Sequence, residues 1–243
     1  MTDLRFLRIQ IREPDDPMRP QEIRCFAEAI DCRPGAIQSL DLLVDRLRES
    51  QLQSVDAVLI GGSGEYSAAA NNPWLEQTLA DLHLLYDLRK PTFASCWGFQ
   101  ALAKALGGDC IHDPAHAELG TLELHLTDAG QEDLLFGALG SPFFGQAGHE
   151  DHVVQLPPSA VLLASSDAVT NQAFRLADAP IYCTQFHPEL DRETLLDRLS
   201  AYPQYVQRIA GQTVEEFARH CHDTPDTRRL LQRFAHLVSE AKL

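Results

Sequence analysis

A cysteine acts as a nucleophile only when a turn presents it, a base takes its proton and a carboxylate orients that base, and two stretches of this chain hold those residue types at suitable spacing. The first is PTFASCWGFQALAKAL, residues 91–106. Pro91 bars helix, Phe93 and Ala94 suit a strand, and from Trp97 onward Phe99, Leu102, Ala103 and Leu106 recur at helical spacing until Gly107 and Gly108 stop the run. Cys96 therefore falls on a strand-to-helix turn, where the unpaired N–H groups and the dipole of a helix N-terminus favour a thiolate. Ala94, Ser95 and Gly98 supply the small neighbours that such a crowded turn requires. Taken alone, the stretch fits a buried core cysteine equally well. The second stretch, IYCTQFHPEL at 181–190, is a β-prone run ending in His187, with Pro188 stiffening the corner and Glu189 two residues on. One strand end thus offers both the base and its orienting carboxylate, and the chemistry implied is nucleophilic attack on a carbonyl.

Positioning these groups requires a sheet whose strands end together. LRFLRIQI (4–11) reads as a first strand, 17–30 as an amphipathic helix, 37–43 as a second strand, 44–51 as a helical turn and 55–60 as an apolar strand. A helix starts at Asn72-Pro73 and runs to about Leu88, with Trp74, Leu75, Leu79, Leu82 and Leu85 on its apolar face. Strands alternating with helices indicate a parallel, doubly wound sheet, in which ligands bind beyond the carboxyl ends of the strands. Gly61-Gly62 and Cys96 both fall at such ends. Between 108 and 175 the short β-prone runs predict antiparallel strands added to that sheet. A helix is expected over 191–202, and two more over 212–223 and 227–241. The domain reading is one α/β domain over 1–200, with 201–243 as a helical extension packed on it.

The composition restricts the partners. The 243 residues carry a formal net charge of -15, which argues against a nucleic-acid or anionic-membrane surface. No run approaches the roughly 18 apolar residues of a membrane span, and MTDLRFLRIQIREP is too interrupted by charge for a secretion signal, so a cytoplasmic protein is expected. The six cysteines form no C-x-x-C pair. GHEDH at 148–152 lacks a third ligand at readable spacing, and the neighbours in His220-Cys221-His222 point in different directions on a helix, so no metal is expected.

Four blocks in one order carry a family resemblance: VLIGGSGEYS at 58–67, Ala94-Ser95-Cys96-Trp97-Gly98-Phe99-Gln100, GHEDHVVQLP at 148–157, and Gln185-Phe186-His187-Pro188-Glu189. They resemble the oxyanion loop, the G-(I/V)-C-x-G-x-Q elbow, the S-H-x-D-x-V block and the Q-F-H-P-E corner of the class I, triad-type glutamine amidotransferases, most closely the glutaminase domain of GMP synthetase. Two positions depart from the family pattern: Ala94 replaces the glycine two residues before the cysteine, and Gly148 replaces a serine. The resemblance implies a flavodoxin-like fold and a triad of Cys96, His187 and Glu189. It also implies an oxyanion hole from backbone N–H groups at Gly62 and Trp97, and substrate contacts from Gln100, His149, Glu150 and Asp151. The implied activity is cofactor-free hydrolysis of a small γ-glutamyl amide, either glutamine or a γ-glutamyl compound, through a thioester on Cys96. Two alternatives stand beside it: an ammonia-supplying subunit of a separate synthetase, and a non-catalytic regulatory protein that keeps the fold. In GMP synthetase an ATP-dependent synthetase domain follows the glutaminase, whereas here the residues after 201 read as helices.

Overall fold

The computed structural model describes residues 2–241. Its first half follows the βα alternation: β1 (Phe6–Gln10), α1 (Met18–Ile30), β2 (Ile37–Asp41), α2 (Glu49–Gln53), β3 (Ala57–Ile60), α3 (Pro73–Asp87), β4 (Thr92–Ser95) and α4 (Trp97–Ala105). The second half is β5 (Asp109–His112), β6 (Glu118–Leu126), α5 (Asp128–Glu132), β7 (Phe143–His149), β8 (Asp151–Gln155), β9 (Ala160–Ser165), β10 (Ala173–Leu176) and β11 (Ile181–Thr184). Four helices follow: α6 (Arg192–Ala201), α7 (Pro203–Ala210), α8 (Val214–Phe217) and α9 (Pro225–Glu240).

Nine strands form one sheet in the order β2-β1-β3-β4-β11-β10-β9-β6-β7. The first five are parallel, and β10, β9, β6 and β7 continue the sheet antiparallel. β1, β3 and β4 are buried along their whole length, as parallel strands covered on both faces must be. Side chains alternate between the two faces. Leu7, Ile9, Val58, Ile60 and Ala94 pack under α3 and α4, while Phe6, Leu59 and Phe93 pack under α1 and α9. A third apolar cluster joins Cys25 of α1 to Leu195, Leu199, Val206 and Phe217 beneath α6 to α8.

The structure corrects three local expectations and adds one helix within the expected helical extension. The helical turn predicted at 44–51 begins only at Glu49, because Asp41 and Asp81 draw the N–H groups of Leu43 and Leu47 into side-chain hydrogen bonds. β5 and β8 pair with each other in a separate two-stranded ribbon instead of joining the main sheet. The helix expected over 212–223 is confined to Val214–Phe217 plus a 3₁₀ turn at Ala218–His220. There the Arg192 guanidinium donates to the carbonyls of Ala218 and Cys221 and so satisfies the chain end that a longer helix would have used. Finally α7 forms directly after α6, started by Pro203 and closed by Gly211 at φ 65°.

Register brings the ends that carry the candidate site together. Thr184 of β11 lies opposite Ser95 of β4, and Ile60 of β3 lies opposite Ala94. The residues that follow those three strands, Gly61-Gly62, Cys96 and Gln185 to Glu189, therefore leave the sheet side by side.

Candidate active site

Cys96 occupies the N-cap of α4 with φ 51° and ψ -107°, a conformation that non-glycine residues rarely adopt. Its N–H donates to the Thr184 carbonyl at 2.8 Å, and the N–H of Gly98 donates to the Gly61 carbonyl at 3.2 Å. These two bonds hold the turn from both neighbouring strands. Gly98 has no room for a side chain, since a Cβ there would lie 2.7 Å from Ile60 Cβ. Ala94 is an ordinary strand residue, and the positive φ falls on Cys96 itself. The departure at 94 thus costs the elbow nothing.

The thiol donates to the Gly148 carbonyl at 3.8 Å and shares the cleft with the His187 ring, close enough to act on it electrostatically. His187 Nδ1 is 2.6 Å from Glu189 Oε1, and both side chains are buried. Because a carboxylate there accepts from Nδ1–H, Nε2 is the ring nitrogen left for proton exchange on the thiol side. Burial alone disfavours the imidazolium, but the Glu189 carboxylate and Cys96 outweigh it and push the His187 pKa up to about 9. Burial likewise opposes the Glu189 charge, yet His187, followed by Arg198, holds that carboxyl below its usual range. Burial raises the thiols of Cys25, Cys32, Cys110, Cys183 and Cys221, which marks them as packing residues.

Gly62 lies across from this pair: a Cβ there would stand 3.1 Å from His187 Cε1. Trp97 is the first residue of α4, where an N–H has no intrahelical acceptor. Its indole lies 6.3 Å from that of Trp74, which in turn lies 5.0 Å from the Tyr66 ring, so an aromatic row supports the Gly61–Gly64 loop. A cleft of about 440 Å³ opens over Cys96 and includes Gly62, Trp97, Gln100, His149, Glu150, Asp151 and His187 in its walls. Such a volume falls within the range of small-molecule pockets.

The four side chains expected to touch substrate are all engaged with protein partners. Gln100 Nε2 donates to the Asp151 carbonyl at 2.7 Å and to Gln185 Oε1 at 3.2 Å. His149 has one ring nitrogen 3.0 Å from the Asp151 carbonyl and the other 3.0 Å from Glu118. Glu150 receives both arms of Arg208, at 2.9 and 2.6 Å. Asp151 is held by Ser67 and by His112. These bonds tie the Gly148–Asp151 segment, Gln100 and α7 into one wall of the cleft. At Gly148 an added Cβ would meet the Tyr205 ring at 3.8 Å, so α7 covers the position where the family has serine.

Sequence reading missed Arg12, Arg198, Tyr202, Tyr205 and Arg208, all of which line the cleft. Arg12 follows β1 at the carboxyl end of a parallel strand, and that position was the available clue. The others come from α6, α7 and the residue joining them, where no spacing signals a ligand. Among the described residues, no group of three or more His, Cys, Asp or Glu side chains is placed to hold a metal ion.

Fold and site together define a doubly wound α/β protein with a cysteine elbow facing a buried histidine–carboxylate pair. The glutamine amidotransferase class-I family model matches residues 37–197, and the chain belongs to that family. It is 27 % identical over 186 residues to γ-glutamyl peptidase 3 of Arabidopsis thaliana, covering 74 % of this chain and 70 % of that one. It is 34 % identical over 118 residues to a subunit of the glutamine-hydrolysing GMP synthase of Methanothermobacter thermautotrophicus, covering 49 % of this chain and 61 % of that one. The crystal structure of a glutamine amidotransferase from Thermotoga maritima shares the fold, with a TM-score of 0.75 at 20 % identity over 99 % of this chain and 100 % of that one.

Proposed function

We propose that this protein hydrolyses a γ-glutamyl amide through a γ-glutamyl thioester on Cys96. The observation that carries the reading is the elbow cysteine at positive φ, sharing a cleft with a histidine that a buried carboxylate holds at 2.6 Å. The Cys96 thiolate attacks the γ-carbonyl carbon, and the C–S bond forms as the carbonyl electrons move onto oxygen. Backbone N–H groups at Gly62 and Trp97 receive that oxyanion. Collapse breaks the C–N bond, and the departing amine takes a proton from the His187 imidazolium, which a pKa of about 9 keeps protonated at neutral pH. The now neutral His187 takes a proton from water, whose hydroxyl attacks the thioester. Glutamate leaves, and the Cys96–His187 pair is restored. His187 carries each transferred proton, giving one to the amine and regaining one from water, with Glu189 orienting it.

Within this reading, residues 1–200 form the amidotransferase-like domain and 201–243 a helical extension whose α7 covers its cleft, and the protein works in the cytoplasm, where its cysteines stay reduced. The test quantifies glutamate and amine released from glutamine and from γ-glutamyl amino acids by the wild type and by Cys96→Ala. Release from at least one substrate, abolished in the variant, supports the proposal. Similarity to one component of a GMP synthase favours a second reading, in which the leaving group is ammonia passed to a separate synthetase subunit. Strong activation of glutamine hydrolysis by a cell extract lacking this protein, without turnover of larger amides, selects that alternative.

A further inference from the structure

Helix α7 brings to the cleft a tyrosine whose hydroxyl the protein leaves free. Four of the five tyrosines donate to a carboxylate: Tyr66 to Glu13, Tyr86 to Asp178, Tyr182 to Asp133 and Tyr202 to Asp16. The fifth, Tyr205, has no acceptor among the described residues, and it lines the same cleft as Cys96. Its side chain is half-buried, not sealed into the core, so a ligand in the cleft can reach it. The ring itself is held on two sides. A Cβ on Gly148 would stand 3.8 Å from its Cε1, and the Arg208 guanidinium lies 5.3 Å from its centroid with both arms taken by Glu150. The Gly148 carbonyl accepts from the Cys96 thiol, so the ring stands on the segment that borders the nucleophile. Burial, followed by the negative charge of Cys96 and Glu150, pushes the Tyr205 hydroxyl well above its ordinary range. It therefore keeps its proton and is available as a donor.

A donor fixed beside a nucleophile, with nothing in the protein to donate to, is matched by an acceptor on the ligand. The proposed reaction restricts which acceptor that is. The carbonyl oxygen under attack is served by Gly62 and Trp97. The leaving amine differs from one compound of the class to the next, but every one of them brings the same acyl group, whose other acceptor is the α-carboxylate. We infer that the Tyr205 hydroxyl donates to the α-carboxylate of the glutamyl group, which makes Tyr205 a substrate-binding and specificity-determining residue. This rests on the hydrolase reading above and holds whichever amine leaves. Tyr205 lies beyond the residues 37–197 that the family model matches, so the contact is supplied by the helical extension.

The test measures kcat/KM for glutamine and for γ-glutamylalanine, each beside the derivative whose glutamyl α-carboxylate is an amide, with the wild type and with Tyr205→Phe. Phenylalanine keeps the ring over Gly148 and removes only the hydroxyl. In the wild type each acid should exceed its amide by about 10-fold or more, the scale of a hydrogen bond to a charged group. Tyr205→Phe should lower kcat/KM for the acids by about that factor, chiefly through KM, and should change the amides little, so that the ratio falls toward one. Calorimetric titration of the same ligands onto Cys96→Ala, with and without Tyr205→Phe, reads the contact without turnover, and the ratio of affinities should fall in the same way. An amide handled as well as its acid by the wild type overturns the contact, as does an acid-to-amide ratio that a folded Tyr205→Phe leaves unchanged. Turnover of none of the four by folded wild type defeats the hydrolase reading, and the contact then stands or falls with the affinity ratio in the Cys96→Ala pair.

Discussion

Replacing Glu189 by Gln keeps the shape of the site and removes one buried charge 2.6 Å from His187 Nδ1. The amide oxygen still accepts from Nδ1–H, so the ring keeps its tautomer, but the group that most raises the His187 pKa is gone. A rise from 6.5 to about 9 corresponds to about 3 kcal/mol favouring the imidazolium, achieved against a burial that opposes it. With only Cys96 left to offset burial, the pKa should fall by more than about one unit. The sign follows from the raised value: stability contributed by His187 is full below pH 6.5 and is lost as pH rises through about 9. The variant should lose most of that component. Activity should follow the same window, because the departing amine needs a protonated His187. The assay is kcat/KM for glutamate release from pH 5.5 to 9.5, expressed as the ratio of variant to wild type so that ionisation of the substrate amine cancels. That ratio should drop as pH is raised from 6 to 8.5, reaching a loss of roughly 10²- to 10³-fold with measurable residual activity. A ratio that stays flat across that range in a variant shown to be folded by circular dichroism refutes the assigned role of the carboxylate charge.

Three further outcomes are expected. A glutamine-like γ-diazoketone should label Cys96 and none of the other cysteines, and peptide mapping that found the label on Cys25, Cys110 or Cys183 would overturn the elbow assignment. Gly98→Ala should lower stability by about 1–3 kcal/mol and activity with it, since its Cβ would stand 2.7 Å from Ile60; thermal unfolding checks this, and an unchanged Tm would contradict the packing. Arg208→Ala should raise KM more than it lowers kcat, because the lost bidentate pair frees Glu150 and loosens α7 over the cleft; an unchanged KM would show that α7 is held by its apolar contacts alone.

The local geometry of the candidate site was legible in the sequence wherever the signal was contiguous. Pro91, the small residues around Cys96 and the helical spacing after it specify an elbow within a dozen residues, and Pro188 between His187 and Glu189 specifies a corner within three. Alternating apolar runs likewise defined the parallel half of the sheet, because backbone preference and side-chain period act over short spans. Tertiary structure decided what those groups face. His149, Glu150 and Asp151 are engaged by Glu118, Arg208, Ser67 and His112, partners that local spacing does not pair with them. Arg12 and Arg198 meet at one cleft although 186 residues separate them, and α7 stands over Gly148 only because α6 packs against α1. Such neighbours are set by which strand lies beside which and by which helix covers the edge. That order is a property of the closed core, and no stretch of the chain contains it.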